Sequence, residues 1–260
     1  MYDSFYDRKK INGLSIIVSG DIQKSKYIAI FIPGFLDSKD HFHIYSLMYS
    51  LKHWYKDDYM TLSYLSFDPY GIWQSDNIYT YSFQGYIKSI DVILEYINSI
   101  NPTIEIILIG HSLGGYVSCY INKILNLKAR KVILLMAPEN PTKTYVYKSI
   151  KEKIMNSGGY VDVENNDPFS SEIHKFKIKD IFEDYTIYDI DTYINNSPDS
   201  EYNLVFGKFD RVEVPYSIKN IYTDSKTLPV IHNYRRNFIQ VAIVNSYLLD
   251  LLKNLLYNRR

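Results

Sequence analysis

Along the chain, short runs of branched aliphatics alternate with stretches in which apolar residues recur every three or four positions. Residues 14–18 and 27–32 are apolar runs split by a polar turn at Gly20-Asp21, and they read as neighbouring strands of a hairpin. Residues 40–55 read as a helix, and Leu62–Phe67 as the next strand. From Phe83 to Ile100, the residues Ile87, Ile90, Val92, Ile93, Leu94 and Ile97 keep helical spacing until Asn101-Pro102 stops them. Residues 104–109 are almost unbroken Ile and Leu, with a helix expected over 116–127. Further strands are expected at 131–136, 202–206 and 227–231, the last after a helical segment around 215–222. A closing helix, about 235–257, carries Phe238, Val241, Val244, Leu248, Leu251, Leu252 and Leu255 at helical period. Such alternation predicts an α/β fold, a mostly parallel central sheet whose right-handed crossovers place helices on both faces. Aliphatic strands such as 104–109 fit burial on both sides.

The rhythm fails between 139 and 201. That stretch is polar, Tyr-rich and irregular, with Gly158-Gly159, Asp167-Pro168 and Asn195-Asn196-Ser197-Pro198. The strand–helix alternation resumes only at residue 202. A long insertion is a place for substrate selection or a plain surface elaboration. His174, among Lys175, Lys177 and Lys179, is expected to face solvent.

Composition narrows the function classes. The 260 residues suit one large domain or two small ones, and 46% of them are apolar. Lys+Arg and Asp+Glu each number 29, so the basic surplus of a nucleic-acid binder is missing. The single cysteine, Cys119, suits a reducing compartment and reads as a packing residue. Residues 1–10 are charged and lack a signal-peptide core, and no apolar run approaches the length of a membrane span. A cytoplasmic protein is the expectation. His41 and His43 stand two apart and would not share a helix face. With His53 they read as ordinary polar or half-buried residues rather than a metal site, although either of the first two could border a pocket. No metal or organic cofactor is expected.

The chemistry concentrates at Gly110-His111-Ser112-Leu113-Gly114. A buried-type strand stops at Gly110, a serine stands at the apex of a sharp turn, and a helix follows. A turn that pushes one side chain out of the backbone strains that residue, and its neighbours must lack a Cβ. The serine then sits at a helix N-terminus, where free N–H groups favour developing negative charge. This G-x-S-x-G pattern in a strand–turn–helix context is the nucleophile elbow.

At this motif the chain resembles the α/β-hydrolase family, and His111 and Leu113 strengthen the match. The resemblance implies further parts. Pro33-Gly34-Phe35 ends the second apolar strand where the family places its oxyanion loop, with Pro33 in place of the usual His. Phe35 and Leu113 would supply the two backbone N–H donors. Asp68-Pro69-Tyr70-Gly71-Ile72-Trp73-Gln74-Ser75 looks like the family's D-x-x-G-x-G-x-S turn, with Trp73 replacing the second glycine. Trp73 would either line the pocket or pack, and Gly34 and His111 would border it. Residues 139–201 would be an insertion of several short helices that forms a cap over the active site, with 1–138 and 202–260 as the core.

The family order is Ser, acid, His. Asp210, just past a strand and shortly before Val214-Pro215, matches the acid loop, and Glu139 is the competing acid. After Ser112 the chain has two histidines, His174 in the insertion and His232 after the last strand. The resemblance therefore implies Ser112 as nucleophile, His232 as base and Asp210 as acid. The expected activity is ester hydrolysis on a small molecule with an apolar acyl or alcohol group. Amide or peptide cleavage and acyl transfer are alternatives, as is a non-catalytic ligand-binding relative. A peptidase would need acids in the cap, for which Glu164, Asp167, Glu172, Glu183 and Asp184 are candidates.

Overall fold

In the computed structural model, the described residues are 6–54, 61–164, 173–178, 182, 186–210, 225–234 and 237–257. Ten strands are found among them: β1 (Asp7–Ile11), β2 (Leu14–Ser19), β3 (Tyr27–Ile32), β4 (Leu62–Phe67), β5 (Glu105–His111), β6 (Lys131–Leu135), β7 (Tyr160–Glu164), β8 (Ile173–Lys177), β9 (Glu201–Gly207) and β10 (Ser225–Leu228). The α-helices are α1 (Phe42–Trp54), α2 (Phe83–Ile100), α3 (Leu113–Ile124), α4 (Tyr145–Asn156), α5 (Ile190–Asn195) and α6 (Phe238–Tyr257). Eight strands form one sheet in the order β1-β2-β4-β3-β5-β6-β9-β10. From β4 to β10 every pair is parallel, while β2 is antiparallel to both neighbours.

The central strands are aliphatic because both faces are covered. On one face Ile28, Ile30, Ile32, Leu108, Val132 and Leu134 pack with Ile90 and Ile93 of α2 and with Tyr116, Val117 and Ile121 of α3. On the other, Ala29, Phe31, Ile107, Ile109, Ile133 and Leu135 pack with Ile44, Leu47 and Met48 of α1 and with Val241, Val244 and Leu248 of α6. Successive residues of one strand thus feed two cores, as the strand's period of two requires. Helix α6 is long and apolar enough, by composition alone, to cross a membrane. Here its buried stripe lies on the sheet and α1, and Asn245 donates to Ser46 Oγ at 2.8 Å.

The structure corrects several expectations. Strands β2 and β3 are not a hairpin, because β4 lies between them. The hairpin joins β1 to β2 through Asn12-Gly13, both at positive φ (48° and 80°), the two-residue turn that matches strand twist. The strand expected at 227–231 occupies Ser225–Leu228, as the sheet's parallel edge on β9. The insertion contains α4 and α5 but also the antiparallel pair β7–β8. His174 does not face open solvent. It is half-buried, stacked on Phe176 and packed edgewise on Trp73, because strand β8 turns alternate residues inward. The segment 215–222, the side chain of Glu164, and Asp167, Glu172, Glu183 and Asp184 lie outside what is described.

Candidate active site

Strand β5 occupies the middle of the sheet, and its last residue, His111, runs directly into Ser112. Ser112 has φ 52° and ψ −120°, a conformation that non-glycine residues adopt only under constraint. The glycines beside it make room for this turn. A Cβ on Gly114 would stand 2.1 Å from the Ile32 carbonyl oxygen, and one on Gly110 would stand 2.3 Å from that of Gly114. Helix α3 therefore lies against the end of β3 at a distance only glycine permits. Ser112 makes no side-chain capping bond to α3, so its hydroxyl remains available for another partner.

That partner is His232. Ser112 Oγ lies 2.7 Å from His232 Nε2, and His232 Nδ1 lies 2.9 Å from Asp210 Oδ2. A carboxylate only accepts, so Nδ1–H donates to Asp210 and leaves Nε2 to accept from the serine. Asp210 follows β9, and its amide donates to the Gly207 carbonyl in a tight turn. His232 follows β10, on a segment held by Val230. All three groups thus stand at carboxyl ends of parallel strands, where an open α/β sheet gathers its ligands. The main-chain carbonyl of Glu139, the other candidate acid, accepts the amide that begins α5, and the carboxylate on His232 Nδ1 is that of Asp210.

A further histidine steadies this row. His111 Nε2 lies 3.0 Å from the His232 carbonyl oxygen, which can only accept, so Nε2 carries the proton. Burial pushes the His111 imidazole down to about 4, against the upward effects of that hydrogen bond and of Asp210. Burial also holds the His232 imidazole below its ordinary range, outweighing the hydrogen bond that it donates to Asp210.

The loop after β3 meets the serine from the other side. Leu36 adopts φ 58°, and the Asp37 carboxylate accepts the Gly34 amide at 3.1 Å. Lys39, 0% exposed, ties this loop to the turn after β4 through Asp68 at 2.8 Å, with Asp40 at 2.8 Å and Gln74 at 3.1 Å. Sequence reading missed this clamp, since a lone lysine carries no sign that it will be buried.

A cavity of about 910 Å³ opens over Ser112, with Gly34, Phe35, His111, Asp210 and His232 in its wall. A narrower, mostly apolar extension runs beside it, lined by Phe35, Leu113, Val146, Tyr147, Ile150 and Phe182. Phe35 and Leu113 line this extension together with Ser112. Trp73 lines neither cavity. Its indole donates to the Leu36 carbonyl at 3.0 Å, and its ring packs against His41, His174 and Phe176.

A doubly covered, mostly parallel eight-stranded sheet, with a serine elbow after its central strand, has close counterparts among solved structures. An alpha/beta hydrolase fold protein from Chitinophaga pinensis superimposes with a TM-score of 0.58 at 14% identity, covering 95% of this chain and 98% of that one. This chain has the α/β-hydrolase fold. Two other solved structures are similar to the same degree. The thioesterase domain from the curacin biosynthetic pathway gives a TM-score of 0.61 at 15% identity, covering 94% of this chain and 98% of that one. An a/b serine hydrolase without lid from Xanthomonas campestris gives 0.57 at 10% identity, with 98% and 96% covered. No family model matches the sequence. No curated protein matches it either. The α/β-hydrolase fold is therefore established by shape, at identities too low to carry an activity.

Proposed function

We propose that the protein is a serine hydrolase that cleaves carboxylic esters through an acyl-enzyme. The observation that carries this reading is the hydrogen-bonded row Asp210–His232–Ser112, with gaps of 2.9 and 2.7 Å. A serine hydroxyl is barely nucleophilic at neutral pH. His232 Nε2 would take its proton as Oγ attacks the carbonyl carbon, and would return it to the departing alcohol. Asp210 would hold the tautomer with the proton on Nδ1 and stabilise the imidazolium. The amides of Phe35 and Leu113 would receive the oxyanion, a task worth about 3 kcal/mol per donor. A water activated by the same histidine would then release the acid.

The apolar walls at Phe35, Val146, Tyr147, Ile150 and Phe182 favour an apolar acyl or alcohol group. Several of these residues belong to α4, so the insertion 139–201 would act as a cap that selects substrate. The free, buried Cys119 fits a reducing, cytoplasmic setting.

Two measurements test the reading. A fluorophosphonate probe should label the wild-type protein at Ser112 and leave Ser112→Ala unlabelled. Short p-nitrophenyl esters should be cleaved with a burst of nitrophenol. Absence of labelling at Ser112 would refute the assignment and favour a ligand-binding relative. Peptide amides cleaved faster than esters would move the reading to a peptidase.

A further inference from the structure

Behind the serine, three side chains from three elements converge. Asp37 comes from the loop after β3, His43 from the first turn of α1, and His111 from the end of β5. One donor atom from each lies within 4.8 Å of the other two, and all three residues are buried. Sequence reading set His43 aside as a ligand because His41 and His43 would not share a helix face, and it gave His111 only a place beside the pocket. Helix α1 begins only at Phe42, so that argument does not apply to His41, and His43 turns inward against Phe31, His111 and Tyr234.

Proton bookkeeping makes the cluster unusual. His111 Nε2 donates to the His232 carbonyl, so the neutral ring presents a lone pair at Nδ1. That lone pair faces Asp37 Oδ2, itself an acceptor from the Gly34 amide. Their separation is 3.4 Å, long for a hydrogen bond but close to the edge of a tetrahedron built on metal–ligand bonds of about 2.0–2.2 Å. His43 completes the triangle. It is 1% exposed, and neither ring nitrogen has a hydrogen-bond partner. A buried imidazole with both nitrogens unpartnered is costly, and the cost disappears if one nitrogen ligates an ion.

We propose that Asp37, His43 and His111 bind a divalent transition-metal ion of the zinc type. Two imidazoles and a carboxylate suit zinc rather than magnesium or calcium, which prefer oxygen donors. The second nitrogen of His111 donates to a backbone carbonyl, the outer-shell bond that orients ligating histidines. The cavity over Ser112 reaches Asp37 and His111, which gives an ion a way in. Such an ion would fasten the loop of Gly34 and Phe35, the start of α1 and the elbow strand to one another. The site stands on this geometry whether or not Ser112 is a nucleophile.

The test uses the full chain, stripped with chelator and dialysed against zinc. Wild type should retain one ion per chain by elemental analysis. Its Tm should rise by roughly 5–10 °C at free zinc about a hundredfold above Kd. His43→Phe keeps a ring among Phe31 and Tyr234 but offers no nitrogen, and should lose both the ion and the shift. His174→Phe, outside the cluster, should keep both. X-ray absorption on the wild-type zinc form should give a first shell of two imidazoles and oxygen. That measurement decides the matter even if His43→Phe does not fold. No retained zinc in wild type would overturn the site and leave Asp37 and His111 sharing a proton. Equal retention by His43→Phe, or a shell without two imidazoles, would place any ion elsewhere and overturn it too.

Discussion

The elbow and the insertion face the same cavity but are held in opposite ways. The elbow is fixed by backbone. Gly110, Gly114 and the end of β3 touch at distances that admit no side chain, and Ser112 is forced into a rare conformation. The insertion has its β7–β8 ladder and one backbone bridge, Ile178 to Tyr81, and relies otherwise on side chains. Tyr116 donates to the Tyr188 carbonyl at 2.8 Å, Lys143 pairs with Asp189 at 2.8 Å, and Asn140 donates to Asp189 at 2.8 Å. Helix α4 buries no residue fully, and Tyr145 is 78% exposed. Under the proposed function, chemistry that tolerates no displacement would sit on the first kind of structure, and selection that has to vary on the second.

Substitutions should separate the two regions, in descending size of effect. Ser112→Ala should lower kcat for any accepted ester by a factor on the order of 10⁶, read from initial rates with circular dichroism unchanged. Asp210→Asn should cost about 10⁴ in kcat, through the wrong imidazole tautomer, with KM nearly unmoved. A loss of tenfold or less would return the acid to another residue.

Two glycines then compare the regions directly. Gly114→Ala drives its Cβ into the carbonyls of Ile32 and Pro33, and should destabilise the fold by about 3 kcal/mol in denaturant titration. Gly158, in the insertion, has φ +67° but nothing within 4 Å of an added Cβ, so Gly158→Ala should cost only about 1 kcal/mol. Equal costs would erase the contrast. The smallest effect on activity belongs to Ile150→Ala in α4. It should change the preference among acyl chain lengths by about tenfold in kcat/KM, while the rate of fluorophosphonate labelling stays the same.

The sequence was most legible where one physical demand dominates. Helix α2 and strands β3 and β4 match the expected bounds, because burial on a fixed face leaves an unmistakable period. Ser112, His232 and Asp210 were read from the elbow and from chain order, and they meet in space. Strand pairing was not legible. Nothing in residues 14–32 says that β4, some 30 residues later, will slide between β2 and β3. The Asn12-Gly13 turn carried the true hairpin signal, but its first strand is polar and exposed and so did not read as a strand. Strand β10 shifted for a related reason: at a sheet edge, Ser225 to Thr227 need not be apolar. Lys39, His43 and Trp73 were unreadable because their neighbours come from distant loops, and only the assembled fold gives a buried charge or ring its partner.

The hydrogen bond from His111 to the main chain of His232 has a consequence for anyone who recombines this scaffold. The residue just before the serine grips the backbone of the residue 121 positions later that faces the serine's own oxygen. A donor segment carrying the elbow from another protein would arrive without the hand that holds the recipient's histidine loop. The two pieces therefore form one transferable unit, although a whole insertion and three strands separate them in the gene.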